Sequence, residues 1–222
     1  MKTLVIIPAY NEQKTIGGVI DAVKQHTSRI IVVDDGSQDK TASIARTKGC
    51  TVKSHIINRG LGAALCTGFV YAKKIGATHV ITLDADGQHN PADIPRLISK
   101  LNEGYDVVVG SRLIETKGMP LTRIYANKIA NLITIGGHIT TDSQSGLRAF
   151  KINALNKLKL ISTTPPGMEI SSQIIEEIYK NKLNFAEIPI KPVYTDYSLS
   201  KGQSFLTGLK TWWRLLVLRL FK

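Results

Sequence analysis

A regular alternation constrains this chain more than anything else in it. Short apolar, β-branched runs at residues 4–7, 30–33, 51–54, 79–83 and 107–110 alternate with stretches of helical period at 15–26, 41–48, 61–75 and 91–102. Hydrophobicity that is continuous rather than alternating suits parallel strands buried on both faces. Strand–helix alternation with short connectors builds βαβ units. The predicted fold class is therefore α/β, an open, mostly parallel sheet with helices on both faces. Beyond residue 112 the pattern loosens: a helix is predicted over 121–135, a polar loop over 136–146, strands over 147–151 and 185–193, and a helix over 169–180.

Charge adds a second constraint. The 222 residues carry 29 Lys+Arg against 17 Asp+Glu, a net +12, so an anionic partner is expected: nucleic acid, a lipid headgroup surface or a phosphorylated substrate. Residues 197–222 hold Lys201, Lys210, Arg214, Arg219 and Lys222 and no acid. Trp212, Trp213, Leu215, Leu216, Leu218 and Phe221 interleave with those cations, which fits a packed helix and an interfacial amphipathic helix equally. Arg214 and Arg219 interrupt the run too early for a membrane span. The first apolar run is too short for a signal-peptide core. Cys50 and Cys66 lack metal or disulfide spacing and read as buried free thiols in a reducing cytoplasm.

In open α/β sheets, ligands bind beyond the carboxyl ends of the strands, so the residues just past each strand are the informative ones. Here these are Pro8-Ala9-Tyr10-Asn11-Glu12, Asp34-Asp35-Gly36-Ser37-Gln38-Asp39, Asn58-Arg59-Gly60-Leu61-Gly62, Asp84-Ala85-Asp86-Gly87-Gln88-His89 and Ser111-Arg112. All five would line one edge. Asp84 and Asp86 leave their strand two residues apart and so converge on one side. A hard cation, Mg²⁺ or Mn²⁺, would relieve their repulsion, with Gln88 as a neutral oxygen ligand. A plain Asp-x-Asp-Gly turn is the alternative. An EF-hand is not, because His89 and Pro95 occupy its glycine and glutamate places. The Asp34-Asp35 pair suits a ribose or base hydrogen bond, while Asp39 suits the cap of the next helix. Leu65 stands where a dinucleotide fingerprint needs its third glycine, and no Walker loop is present. The five histidines lack metal-ligand spacing.

Together these motifs, with Asn58-x-Gly60-x-Gly62-x-Ala64, Gly110-Ser111-Arg112 and Asp142-x-x-Ser145-Gly146-Leu147-Arg148, resemble a family-2 glycosyltransferase of GT-A fold. The polyprenol (dolichol) phosphate mannosyltransferase branch is the most similar. The resemblance implies a GT-A domain over 1–196, with a nucleotide half to about 112 and an acceptor half from about 113, then the basic segment 197–222. It implies that Pro8, Tyr10, Glu12 and Asp35 contact the nucleotide. It puts the metal and the donor diphosphate on Asp84-Ala85-Asp86 and Gln88, with Arg112 and Lys201 on donor and acceptor phosphates. Leu147 stands where the family usually has Phe, 194–197 departs from the eukaryotic-type pattern, and the Gln-x-x-Arg-Trp of processive synthases is missing.

The implied reaction is an inverting transfer of a hexose from GDP-mannose or a UDP-hexose. An acceptor hydroxyl would need a general base, for which Asp142 is the first candidate and Glu169 the second, unless Asp142 merely caps the turn before Ser145-Gly146. A lipid phosphate is already ionised and needs cations instead, for which Arg112, Arg148 and Lys201 are available. Asp86, Arg112 and Asp142 are thus the catalytic candidates. The expected place of work is the cytoplasm, at the cytoplasmic face of a membrane. Transfer to a glycan hydroxyl is the alternative. A non-catalytic nucleotide-sugar-binding or nucleic-acid-binding protein is the different-class one, and the absence of any nucleic-acid signature counts against the latter.

Overall fold

The computed structural model describes residues 2–116, 140–160 and 170–191, together with Ile124 and Val193. Seven strands form one sheet: β1 (Thr3–Ala9), β2 (Ile30–Asp34), β3 (Thr51–Ser54), β4 (His79–Thr82), β5 (Val107–Ser111), β6 (Arg148–Lys151) and β7 (Phe185–Pro189). Their order is β3-β2-β1-β4-β6-β5-β7. All neighbours are parallel except β6, which runs antiparallel to both β4 and β5.

Helices cover both faces. On one side lie α1 (Ile16–Lys24), α2 (Thr41–Thr47) and α4 (Ile94–Asn102), packed on Val5, Ile7, Val32, Ile81 and Ala149. On the other lie α3 (Leu61–Lys74), α5 (Ile152–Lys157) and α6 (Ile170–Lys180), packed on Leu4, Ile6, Ile31, Val80 and Phe150. Adjacent residues of β1 therefore serve opposite core layers, as the period of a strand requires. In α1 the buried set is Ile16, Val19, Ile20 and Val23, the i, i+3, i+4, i+7 stripe of an amphipathic helix. At Gly68 the α3 backbone lies directly on β1, where a Cβ would overlap Ile6 Cγ2.

Four expectations need correction. β3 is not buried on both faces, because it is the sheet's edge and its residues are mostly exposed. The stretch 91–102 is not one α-helix: Pro91–Asp93 is a 3₁₀ turn capped by Asn90, whose side chain accepts from the Ala92 N–H at 3.1 Å. The six-residue α5 went unpredicted, being too short to display a period. Cys50 and Cys66 are free thiols but only partly buried, not buried as expected. The predicted helix at 121–135 apart from Ile124, positions 136–139 of the loop, Glu169, Lys201 and the segment 197–222 lie outside the described residues. Among the described residues no helix is long and apolar enough to cross a membrane.

Candidate active site

Because β1–β5 all point one way, their carboxyl ends share one edge, and the five polar clusters stand along it. The antiparallel β6 begins at that same edge. Arg148 pairs with Thr82 on one side and Val109 on the other, which brings the 142–147 turn in beside Asp84.

The first two clusters form a single unit. Asn11, at φ 55°, receives Gln38 N–H on its side-chain oxygen at 2.9 Å and donates its own N–H to Ser37 Oγ at 2.9 Å. Glu12 N–H donates to Thr41 Oγ1 at 2.7 Å, and Gln13 N–H to Asp39 at 3.1 Å. Asp39 also takes the Thr41 N–H at 2.9 Å, but it stands one residue before the N-cap of α2, Lys40, which makes no side-chain cap bond. Pro8 is buried within β1, Tyr10 is 42% exposed at the rim, and the Glu12 carboxylate accepts from Thr15 Oγ1 at 3.1 Å.

Asp35 is the hub of the third cluster. Its carboxylate accepts from Arg59 N–H at 3.0 Å and Gly60 N–H at 2.7 Å, and its Oδ1 lies 2.7 Å from His55 Nδ1. His55 Nε2 in turn reaches Thr67 Oγ1 on α3 at 2.9 Å. Residue 35 is only 4% exposed, so it fixes the entry to α3 from beneath the surface. Sequence reasoning missed His55, whose pairing with Asp35 across 20 residues leaves no spacing signal.

In the fourth cluster, Asp86 turns toward Gln88, which donates both its backbone N–H (2.9 Å) and its amide Nε2 (2.8 Å) to the carboxylate. Asp84 Oδ2 lies 3.1 Å from the Nε2 of His89. His89 is buried, and its Nδ1 has no hydrogen-bond partner among the described residues. Gly146 presses on Asp84 so closely that a Cβ there would overlap all three carboxylate atoms. Burial pushes the Asp84 carboxyl up, but the His89 hydrogen bond and the charges of His89, Arg112 and Arg148 outweigh it and hold the group below the usual range. Asp86 is raised, first by burial and then by the charge of Asp84, against the Gln88 backbone bond. A carboxylate pushed up by its neighbour is the electrostatic setting a divalent cation relieves. Two carboxylates also match the small protein share of a Mg²⁺ site whose other ligands are phosphates and water. Among the described residues no group of three His, Cys, Asp or Glu is placed to hold a metal alone.

The fifth cluster joins the 140–148 segment. Asp142, wholly buried, takes Arg112 Nε (2.7 Å) and backbone N–H (3.1 Å) on one oxygen and Arg112 Nη2 (2.9 Å) on the other. Burial would raise this carboxyl, yet the Arg112 charge and hydrogen bonds hold it below the usual range. The segment is itself pinned by Glu187 on β7, which accepts from Thr140 Oγ1 at 2.6 Å and Thr141 N–H at 2.9 Å. Neither reading of Asp142 matches this geometry. Its carboxylate does not cap the turn, where only its backbone oxygen receives Ser145 N–H, and it presents no exposed oxygen to a hydroxyl. Arg148, read as a phosphate contact, is 2% exposed, with Nη2 on the Ser143 carbonyl at 2.7 Å and Nε without a partner among the described residues. Burial lowers its pKa to about 10, although Asp142 and Asp84 pull the other way.

Residues 4–157 match the model for glycosyl transferase family 2. This chain belongs to that family. The glycosyltransferase is 40% identical to the UDP-N-acetylglucosamine--dolichyl-phosphate N-acetylglucosaminyltransferase of Methanococcus voltae, over 98% of this chain and 96% of that one. It is 30% identical to the polyprenol monophosphomannose synthase of Mycolicibacterium smegmatis, over 90% of this chain and 80% of that one. Its GT-A fold is shared with glucosyl-3-phosphoglycerate synthase from Mycobacterium tuberculosis, crystallised with Mn²⁺, uridine-diphosphate-glucose and phosphoglyceric acid. That match has a TM-score of 0.68 at 23% identity, over 90% of this chain and 74% of the other.

Proposed function

We propose that this glycosyltransferase moves a hexose from a nucleoside diphosphate sugar to the phosphate of a polyprenyl lipid, at the cytoplasmic face of a membrane. The observation that carries the reading is the buried Asp142–Arg112 pair. The carboxylate best placed by sequence to serve a hydroxyl acceptor is instead locked under a guanidinium, so the edge beside Asp84 presents a fixed cation. A phosphate nucleophile carries its own negative charge and needs a cation to approach, not a base. The names of the Methanococcus and Mycolicibacterium relatives, dolichyl-phosphate and polyprenol, support the same acceptor class.

On this reading Tyr10, Glu12 and Asp35, with Pro8, shape the nucleotide end. Asp84 and Asp86, with Gln88, would hold Mg²⁺ or Mn²⁺, which supplies Lewis-acid stabilisation of the departing diphosphate. An acceptor phosphate oxygen forms the new bond to the anomeric carbon as the bond to the nucleoside diphosphate breaks, inverting that centre. Arg112, held in place by both Asp142 oxygens, faces the charge that shifts between the two phosphate groups. Arg148 acts from beneath through its field on Asp84. Lys201, assigned to phosphate by resemblance, remains part of the proposal.

The test is transfer of labelled sugar from a panel of UDP-hexoses and GDP-mannose to polyprenyl phosphate, with the unphosphorylated polyprenol and a glycan as alternative acceptors, with and without Mn²⁺. Transfer to the phosphate alone is expected, with loss of activity in Asp86→Ala. Transfer to the alcohol or glycan instead, or an unimpaired Asp86→Ala, would overturn the proposal.

A further inference from the structure

The net charge of +12 is not spread over the molecule. Residues 40–83 contain Lys40, Arg46, Lys48, Lys53, Arg59, Lys73 and Lys74 and no Asp or Glu, a local +7. Residues 197–222 supply the other +5, and the rest of the chain balances to zero. The first of these segments holds α2, the edge strand β3, α3 and the inner strand β4; Lys40, Arg46, Lys48, Lys53 and Arg59 precede α3, while Lys73 and Lys74 lie in its last turn.

The loop between β3 and α3 carries two adjacent isoleucines in solvent: Ile56 is 100% exposed and Ile57 68%. Single exposed apolar residues are common, but two adjacent branched ones in a loop flanked by exposed cations are not. The loop is not loose. His55, the Arg59 N–H and the Gly60 N–H are all tied to Asp35. Its backbone at Ile57 rests on Gly36, whose Cβ would lie 2.6 Å from the Ile57 carbonyl carbon. Lys53 and Arg59 flank the isoleucines and are exposed, and Arg46 reaches alongside to Ser54 Oγ at 3.1 Å. The loop also leaves the same sheet edge as Asp84, three strands away, or roughly 14 Å at normal strand spacing.

We propose that the loop 55–59 is a membrane-docking tip. Ile56 and Ile57 enter the boundary between headgroups and acyl chains of an anionic bilayer, while Lys53, Arg46 and Arg59 meet its lipid phosphates. Apolar side chains ringed by cations match a surface that is anionic outside and hydrocarbon within. A nucleic acid would take up the cations and leave both isoleucines in water. The choice of a bilayer rests on the lipid-phosphate reading above. It adds that the outer, nucleotide end of the sheet touches the membrane, independently of segment 197–222.

The experiment is co-sedimentation of the full chain with phosphatidylcholine vesicles, with and without phosphatidylglycerol, run beside transfer to a short-chain, water-soluble prenyl phosphate. Ile56→Ser/Ile57→Ser should weaken partitioning onto the anionic vesicles on the order of tenfold. Lys53→Glu should weaken it several-fold more than Lys53→Ala, with loss of the preference for phosphatidylglycerol. Both should leave transfer to the soluble acceptor intact. A nitrobenzoxadiazole label on Ile56→Cys, in a Cys50→Ser/Cys66→Ser background, should shift to the blue on vesicle addition. Unchanged partitioning in the double variant, a label that stays in water, a variant whose defect is confined to donor KM, or retention on duplex DNA but not on vesicles would each overturn the proposal. A protein that binds vesicles through this loop yet transfers nothing to prenyl phosphate would leave the docking tip standing and refute the acceptor instead.

Discussion

Gly146→Ala isolates the packing that aims the Asp84 carboxylate, proposed above to hold the metal. Gly146 does not occupy the left-handed backbone region, so alanine brings no intrinsic strain, and the whole effect comes from its Cβ. That atom would overlap the Asp84 carboxylate, which must retreat by roughly 1 Å, the scale at which a displaced catalytic group loses about 10²-fold in rate. Retreat also disturbs the 3.1 Å link to His89, whose other ring nitrogen has no partner among the described residues. The expected result is a fall in kcat/KM of about 10²-fold, equivalent to about 2.7 kcal/mol of transition-state stabilisation. Overpacking should lower thermal stability by about 1–3 kcal/mol. The assay is donor-sugar transfer under saturating Mn²⁺, paired with thermal unfolding. The double variant Gly146→Ala/Asp84→Ala removes the overlap, so it should regain stability without regaining activity. Wild-type kinetics in Gly146→Ala, or a double variant no more stable than the single one, would refute the idea that this contact positions Asp84.

Two further outcomes test other parts of the site and core. Asp142→Asn leaves Arg112 without its buried counter-charge and should cost about 3 kcal/mol at neutral pH by chemical denaturation. Because the folded-state pKa of Asp142 is depressed, its contribution is fully present above its unfolded value of about 3.9 and fades as pH falls through the lower folded value. The gap between wild type and Asp142→Asn should therefore be flat at neutral pH and narrow only below about pH 4; a gap that closes near neutrality would contradict this. Gly68→Ala should destabilise by about 1–3 kcal/mol through the overlap with Ile6, without changing donor KM.

The parallel half of the molecule was legible because its strands are continuous apolar runs and its helices are long enough to show a period. The five strand-end clusters were legible for the same reason, since parallel strands put every carboxyl end on one edge. What the sequence hid was relational. Nothing in Arg148-Ala149-Phe150-Lys151 announces that this strand inserts antiparallel between β4 and β5, because direction is set by neighbours and not by composition. The role of Asp142 was hidden likewise: an aspartate in a polar loop reads as a cap or a base until the partner 30 residues away is placed beside it. β3 was misjudged because Val52 and its flanking threonine suit any strand, and only the sheet order exposes it as an edge.

The insertion of β6 has a further consequence, for the fidelity of the site. Along this strand Phe150 enters one core layer, edge-on to Phe69 at 5.8 Å between ring centroids, while Ala149 enters the other. A slip of one residue would exchange the two, forcing a phenyl ring into an alanine-sized space and turning Arg148 to the wrong side of the sheet. The ring thus acts as a key that lets the strand lock in one alignment only. In a mutational scan scored by activity alone, changes at Phe150 and at Arg148 would fall into one class, and only a stability measurement would tell the key from the residue it aligns.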